Sequence, residues 1–119
     1  MASVDPFTSP VFPDIIHTLP DADIPFRGVR GKLLQAGTYQ VVFFDIDAVG
    51  AVTPHAHGAQ FGVVLDGEMD LTIDGVTRTY RKGDHYFIPA GAVHGANFRQ
   101  HTVAIDVFAE PRRYAAKAG

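Results

Sequence analysis

Apolar and polar residues alternate with a period of two through the middle of the chain. Between Met69 and Asp74, three apolar residues alternate with aspartate and threonine. This alternation is typical of a strand with one buried face. The Asp74-Gly75 pair then favours a tight hairpin turn, and residues 76–81 are predicted to return as a more exposed strand.

Further strands are predicted where β-branched and aromatic residues cluster. They lie at 28–34, 40–47, 61–65, 86–88, from His94 onward and at 102–108. Residues 50–54 are predicted to be a connection, and Asp66-Gly67 is predicted to be another hairpin turn. Because no stretch shows the apolar stripe of a helix, the chain is predicted to be all-β. Closing such a sheet into a barrel or jelly roll hides its edges and leaves an interior where side chains can meet.

The two ends of the chain differ from the middle in composition. Residues 1–25 contain five of the eight prolines, and proline removes a backbone donor and fixes φ. We therefore predict a proline-rich N-terminal arm at 1–25, a single barrel at 26–110 and a short C-terminal tail at 111–119. The tail is rich in alanine and charge, which is compatible with one helical turn or with no regular structure.

Composition restricts the function classes that the chain can serve. Its 119 residues are enough for one domain with its own core, and a net charge of −3 argues against nucleic-acid binding. The absence of cysteine excludes disulfides, thiolate metal ligands and cysteine nucleophiles. No apolar run approaches membrane-spanning length, and no secretory signal is visible. We therefore expect a cytoplasmic protein without membrane contact.

Histidine is the candidate functional residue. On an extended segment His55 and His57 point to the same face, because side chains alternate with a period of two. His94 comes much later, directly after the rigid Pro89-Ala90-Gly91 corner. A buried pair of imidazoles needs a shared proton donor, a shared acceptor or a metal ion. We predict that these three histidines and Gln60 converge on one divalent metal, although Gln60 could instead be a polar wall residue that orients a water.

Two motifs of this sequence resemble those of the cupin superfamily. The first consists of Gly50, His55, His57, Gln60 and Gly67. The second consists of Gly83, Pro89, Gly91, His94 and Asn97. The resemblance implies a double-stranded β-helix whose two motifs supply metal ligands. It also implies homodimers that pair edge strands or exchange N-terminal arms. For function it implies either an enzyme of the dioxygenase, isomerase or lyase type, or a non-catalytic sensor of small molecules or carbohydrates.

Gln60 departs from the cupin pattern, which has a glutamate at that position. Three neutral imidazoles suit Fe, Ni, Zn, Mn, Co or Cu, and a glutamine carbonyl cancels none of the charge on such an ion. The ion would therefore attract a small polar or anionic molecule within the barrel. No general base stands out, because Glu68 follows a turn and is expected to face outward. His85 and His101 could approach the site, whereas His17 lies in the arm.

Overall fold

The fold consists of two antiparallel sheets packed face to face. The computed structural model describes residues 7, 9–48 and 50–117. In chain order the elements are α1 (Asp14–His17), β1 (Val29–Gln35), β2 (Gln40–Ile46), β3 (Gly50–His55), β4 (Gln60–Asp66), β5 (Glu68–Ile73), β6 (Val76–Arg81), β7 (His85–Ile88), β8 (His94–Phe98) and β9 (Thr102–Phe108). The predicted all-β jelly roll is confirmed.

The strand order brings distant parts of the chain together. One sheet has the order β1-β2-β9-β4-β7, and the other has the order β3-β8-β5-β6. Apolar side chains from the facing surfaces of both sheets, such as Phe44, Leu71 and Phe108, form the core between them. Because β3 pairs with β8, the two histidine motifs lie on adjacent strands, and His55 is directly opposite His94 in the register.

Two details of the predicted connectivity are wrong. Residues 50–54 belong to strand β3, because the backbone from Gly50 onward pairs with β8. Asp66-Gly67 is not a hairpin turn, since β4 and β5 pair with different strands in different sheets. Gly67 has a φ of +85°, and a Cβ there would overlap the backbone of His101. The dipeptide therefore carries the chain from one sheet to the other.

The Asp74-Gly75 hairpin is confirmed. Both residues have positive φ, 47° and 83°, as a tight turn of the primed type requires. Strands β5 and β6 pair on either side of it, with Ile73 opposite Val76.

The arm and the tail both pair with the barrel. The amide of Ala22 donates to the carbonyl of Gly31 in β1 at 2.9 Å, and the amide of Lys117 donates to the carbonyl of Asp21 at 2.7 Å. The buried Gln40 donates to the carbonyl of Tyr114 at 2.6 Å. The tail therefore does not form a helical turn. It is hydrogen-bonded to the rest of the chain as far as residue 117. No helix in the described ranges is long and apolar enough to cross a membrane.

Candidate functional site

Three histidines meet at one end of the space between the sheets. One ring nitrogen each from His55, His57 and His94 lies within 4.8 Å of the others. The ring centroids of His55 and His94 are 4.4 Å apart, and those of His57 and His94 are 4.7 Å apart. Among the described residues, these three histidines form the group of histidine or acidic side chains whose spacing fits a metal ion. The sequence predicted these three residues.

Backbone carbonyls fix the orientation of all three rings. Nδ1 of His55 is 2.8 Å from the carbonyl oxygen of Thr53, and Nδ1 of His94 is 2.9 Å from that of Ala92. Nδ1 of His57 is 2.8 Å from the carbonyl oxygen of Gly58. A carbonyl can only accept, so each Nδ1 carries the proton and each Nε2 keeps a free lone pair. Metal-binding histidines are commonly oriented in this way.

The Nε2 atoms of His57 and His94 are 3.1 Å apart. With both Nδ1 atoms protonated, two lone pairs face each other across this distance. Ring nitrogens bind zinc at about 2.0–2.1 Å, so two such ligands at right angles are about 3 Å apart. The observed spacing therefore fits two ligands of one ion, and a shared cation would remove the repulsion between them.

Burial favours the neutral form of His55 and His57. Burial lowers the pKa of His57 to about 4, and the positive charge of Arg113 lowers it further. Burial also lowers the pKa of His55, and the positive charge of Arg113 adds to this effect. A neutral imidazole is the form that binds a metal, so the lowered pKa values of His55 and His57 favour metal binding by these two residues.

The loop at 56–59, not strand alternation, places His57. This residue follows the end of β3, so the period of two that predicted its direction does not apply to it. The carbonyl of His57 accepts from the amide of Gly91, and the amide of Ala109 donates to the carbonyl of Ala59, both at 2.8 Å. The carboxylate of Glu110 accepts from the amide of Gly58 at 2.5 Å and lies 3.6 Å from Nδ1 of His57.

Gln60 lines the same cavity as the histidines. Its Nε2 donates to the carboxylate of Asp106 at 2.6 Å, so the amide oxygen is the atom left for a ligand. The hydroxyl of Tyr86 also donates to Asp106, at 2.8 Å and 2.9 Å to its two oxygens. This close packing requires Gly62, because a Cβ there would overlap Tyr86 and Asp106.

Asp106 is a carboxylate that the sequence analysis missed. It is 1% exposed, and burial raises its pKa to about 7, an effect that the hydrogen bonds from Gln60 and Tyr86 partly offset. The available signal was a lone aspartate in the apolar run 102–108, at an inward position of the strand. In the sequence no residue stands out as a general base, whereas the structure places Asp106 in the cavity as a candidate for that role.

The tail also reaches the site, which the sequence analysis missed. Tyr114 lines the cavity and packs edge-to-face on Phe44 and Phe108, and burial raises its pKa to about 12. The guanidinium of Arg113 lies 4.3 Å above the Tyr114 ring. Its Nε is buried without a hydrogen-bond partner among the described residues.

The remaining candidates lie elsewhere. His85 is exposed on the outer surface of β7 near Phe61, and His101 bonds through Nε2 to the Asp45 carboxylate. His17 contacts backbone carbonyls of the arm. Glu68 forms ion pairs with Arg81 and Arg99 and does not line the cavity.

The cavity between the sheets has a volume of about 70 Å³. A water needs about 10–15 Å³ on this measure, so the space holds several waters or a small organic molecule. Its walls are mostly apolar, and the polar groups are concentrated at two places, the histidine cluster and Asp106. This combination of apolar walls with a few convergent polar groups is typical of a small-molecule site.

Comparisons with known proteins agree with this geometry. A family profile described as "Cupin domain" matches residues 42–108. An RmlC-like cupin from Shewanella frigidimarina is 27% identical with a TM-score of 0.69, covering 79% of this chain and 86% of its own. KdgF from Halomonas sp. is 28% identical with a TM-score of 0.67, covering 78% and 87%.

More distant structures share the fold alone. A deletion mutant of Bacillus subtilis oxalate decarboxylase is 14% identical with a TM-score of 0.70, covering 84% of this chain and 30% of its own. A search of curated protein sequences finds no match.

Proposed function

Because the chain belongs to the cupin domain family, we propose that it binds one divalent transition metal through His55, His57 and His94. Gln60 would be the fourth donor through its amide oxygen. The ion is one of Fe, Ni, Zn, Mn, Co or Cu, and the protein is proposed to act as a metal-dependent enzyme of the dioxygenase, isomerase or lyase type. Its substrate is a small polar or anionic molecule held between the two sheets.

One observation carries this proposal, namely the pair of Nε2 lone pairs that face each other at 3.1 Å between His57 and His94. Because each Nδ1 donates to a carbonyl oxygen, a neutral ring has no proton left on Nε2 with which to donate to the other ring. When bound, a divalent ion would supply Lewis-acid polarisation of an oxygen atom of the ligand.

The chain's own groups would then position the ligand. The carboxylate of Asp106, fixed by Tyr86 and Gln60, can accept a hydrogen bond from a ligand hydroxyl. The aromatic rings of Phe108 and Tyr114 wall the space between Asp106 and the histidines. The ligand would thus be held between a cationic end and an acceptor end.

Arg113 supports an anionic ligand. Its charge is close enough to the histidines to lower the pKa of His55 and His57. It forms no ion pair within the described part of the chain, and its buried Nε is free to donate. Arg113 does not line the cavity, so its charge would favour an acidic group near the ion through space and not through a direct bond.

Metal content tests the proposal. We expect purified wild type to hold about one ion per chain, and a variant with both His55→Ala and His94→Ala to hold none. His85→Ala is the matched control, because His85 lies on the outer surface, and it should keep the ion. Equal metal content in all three proteins would contradict the proposed metal site.

Ligand turnover tests the enzyme part separately. A reaction that stops on chelation and returns when metal is added supports catalysis. Ligand binding that needs no metal and gives no product would favour the non-catalytic sensor instead.

Cellular location and oligomeric state are also part of the proposal. The sequence predicts a cytoplasmic homodimer, and the arm at 1–25 is the segment expected to contribute to the dimer. The three histidines belong to one chain, so the proposed metal binding would not depend on this assembly.

A further inference from the structure

Phe26 is a wall of the cavity that the sequence analysis missed. It lines the cavity together with the three histidines, although it belongs to the segment that precedes β1. Its ring centroid lies 5.4 Å from that of His55, with the two rings tilted by 37°, which is within the usual range for packed aromatic rings. The chain therefore places a bulky apolar side chain directly against one of the proposed metal ligands.

A tight turn fixes the backbone of Phe26. The amide of Val29 donates to the carbonyl of Phe26 at 3.2 Å, and Gly28 has a φ of +74°, as a type II turn requires at its third residue. The carbonyl of Gly28 accepts from the amide of Asp47 at 2.9 Å. The carboxylate of Asp47 in turn accepts from the guanidinium of Arg30 at 2.7 Å and 3.1 Å. The turn is thus attached to the ends of both β1 and β2.

The ring of Phe26 spans a gap between the two sheets. Within the described ranges, β3 pairs with β8 alone, whereas β1 is the first strand of the other sheet. No ladder of backbone hydrogen bonds therefore joins β1 to β3 in this part of the chain. Because Phe26 directly precedes β1 and packs against His55 at the end of β3, its side chain closes the cavity on this side.

Exposure places the opening of the cavity on the same side. Phe26, Val52 and His55 line the cavity and are only partly buried. Lining residues on inner strands, such as Met69 of β5 and Phe108 of β9, are buried. Solvent therefore reaches the histidines past the ring of Phe26.

We propose that Phe26 is a specificity-determining residue, whose ring limits the size of the molecules that reach the three histidines. This inference deepens the proposed function and rests on it for the nature of the ligand. The cavity volume of about 70 Å³ corresponds to about five to seven positions of a water molecule, which suits a compact ligand. A longer or branched molecule would need the space that the ring of Phe26 occupies.

Chemical modification of the metal-free protein measures access to the histidines directly. Diethyl pyrocarbonate acylates imidazole nitrogens that have a free lone pair, and the Nε2 atoms of the cluster keep theirs. We expect Phe26→Ala to raise the modification rates of His55 and His94 at least about threefold relative to the exposed His85, because modification of a covered ring depends on its opening to solvent. Tandem mass spectrometry assigns the rate of each histidine.

Three further variants control for effects other than access. Tyr39→Ala is the matched control, because Tyr39 is an aromatic residue that is 50% exposed and does not line the cavity, and it should leave the rates of His55 and His94 unchanged. Phe26→Leu should raise these rates and Phe26→Trp should lower them. This order decides the proposal even if circular dichroism shows that Phe26→Ala does not fold.

Equal rates at His55 and His94 in wild type, Phe26→Leu and Phe26→Trp would overturn the proposal, as would an equal rise in Tyr39→Ala. Where the protein holds a metal, a chelator should remove it faster from Phe26→Ala than from wild type, and equal rates of removal would contradict the proposal. A wild type that binds no metal contradicts the proposed function instead. The modification rates of the metal-free protein still decide the role of Phe26 in that case.

Discussion

The Nε2 atoms of His57 and His94 face each other at 3.1 Å while both Nδ1 atoms are bonded to carbonyl oxygens. The two residues are separated by 36 intervening positions in the sequence, and the pairing of β3 with β8 brings their motifs together. In the metal-free protein this arrangement leaves two acceptors without a donor between them. Burial and the hydrogen bonds to backbone carbonyls hold the two rings in this position.

Acid should destabilise the metal-free protein through His57. Its pKa is lowered in the folded state to about 4, chiefly by burial, from an unfolded value of 6.5. A lowered pKa contributes stability that is full above pH 6.5 and is lost as the pH falls towards 4. We expect the free-energy advantage of wild type over His57→Asn to shrink by about 1–3 kcal/mol across this range. Urea unfolding of both metal-free proteins at pH 7.5 and 4.5 measures this, and a constant difference would contradict it.

Gln60→Glu should separate the two roles considered for this residue. If the amide oxygen of Gln60 is the fourth donor, a carboxylate there adds charge to the ligand set and should tighten metal binding. Gln60→Leu should weaken it. Without metal, the new carboxylate faces Asp106, where the amide now donates at 2.6 Å, so the variant should be less stable than wild type above pH 7. Equal metal affinity in all three proteins would leave Gln60 as a wall residue.

Glu110→Gln should weaken metal binding although Glu110 is not a ligand. Its carboxylate holds the amide of Gly58 and lies 3.6 Å from Nδ1 of His57, so it positions His57 and adds negative charge beside it. Changes to such outer residues typically cost 10–100-fold in affinity. We expect about tenfold for Gln, which keeps the hydrogen bond, and more for Ala. Competition with a chelator measures this, and Glu68→Gln on the surface should have no effect.

Gly62→Ala should disrupt the polar end of the cavity. A Cβ at this position would overlap the Tyr86 hydroxyl and the Asp106 carboxylate. We expect a loss of about 1–3 kcal/mol in unfolding free energy, the usual cost of overpacking a core. Gly37→Ala is the control, because a Cβ at 37 meets nothing within 4 Å. Similar stability of both variants by thermal unfolding would show that the cluster can repack.

Sequence alone predicted the fold class and the three histidines that lie together in the candidate site. Strand alternation, an Asp-Gly turn and the two histidine motifs were local signals, each confined to a few neighbouring residues. They were sufficient because period and turn chemistry depend on the backbone itself. The resemblance to cupins then supplied the overall topology.

The tertiary structure decided which distant groups share the cavity. Asp106 and Tyr114 gave no local signal, since a lone aspartate in a strand and a tyrosine in an alanine-rich tail occur in many structural settings. They reach the site because β9 lies at the centre of its sheet and because Gln40 binds the tail. The loop that turns His57 towards His94 is likewise fixed by contacts with Gly91 and Glu110. Long-range hydrogen bonds and packing set these positions, and no short stretch of sequence encodes them.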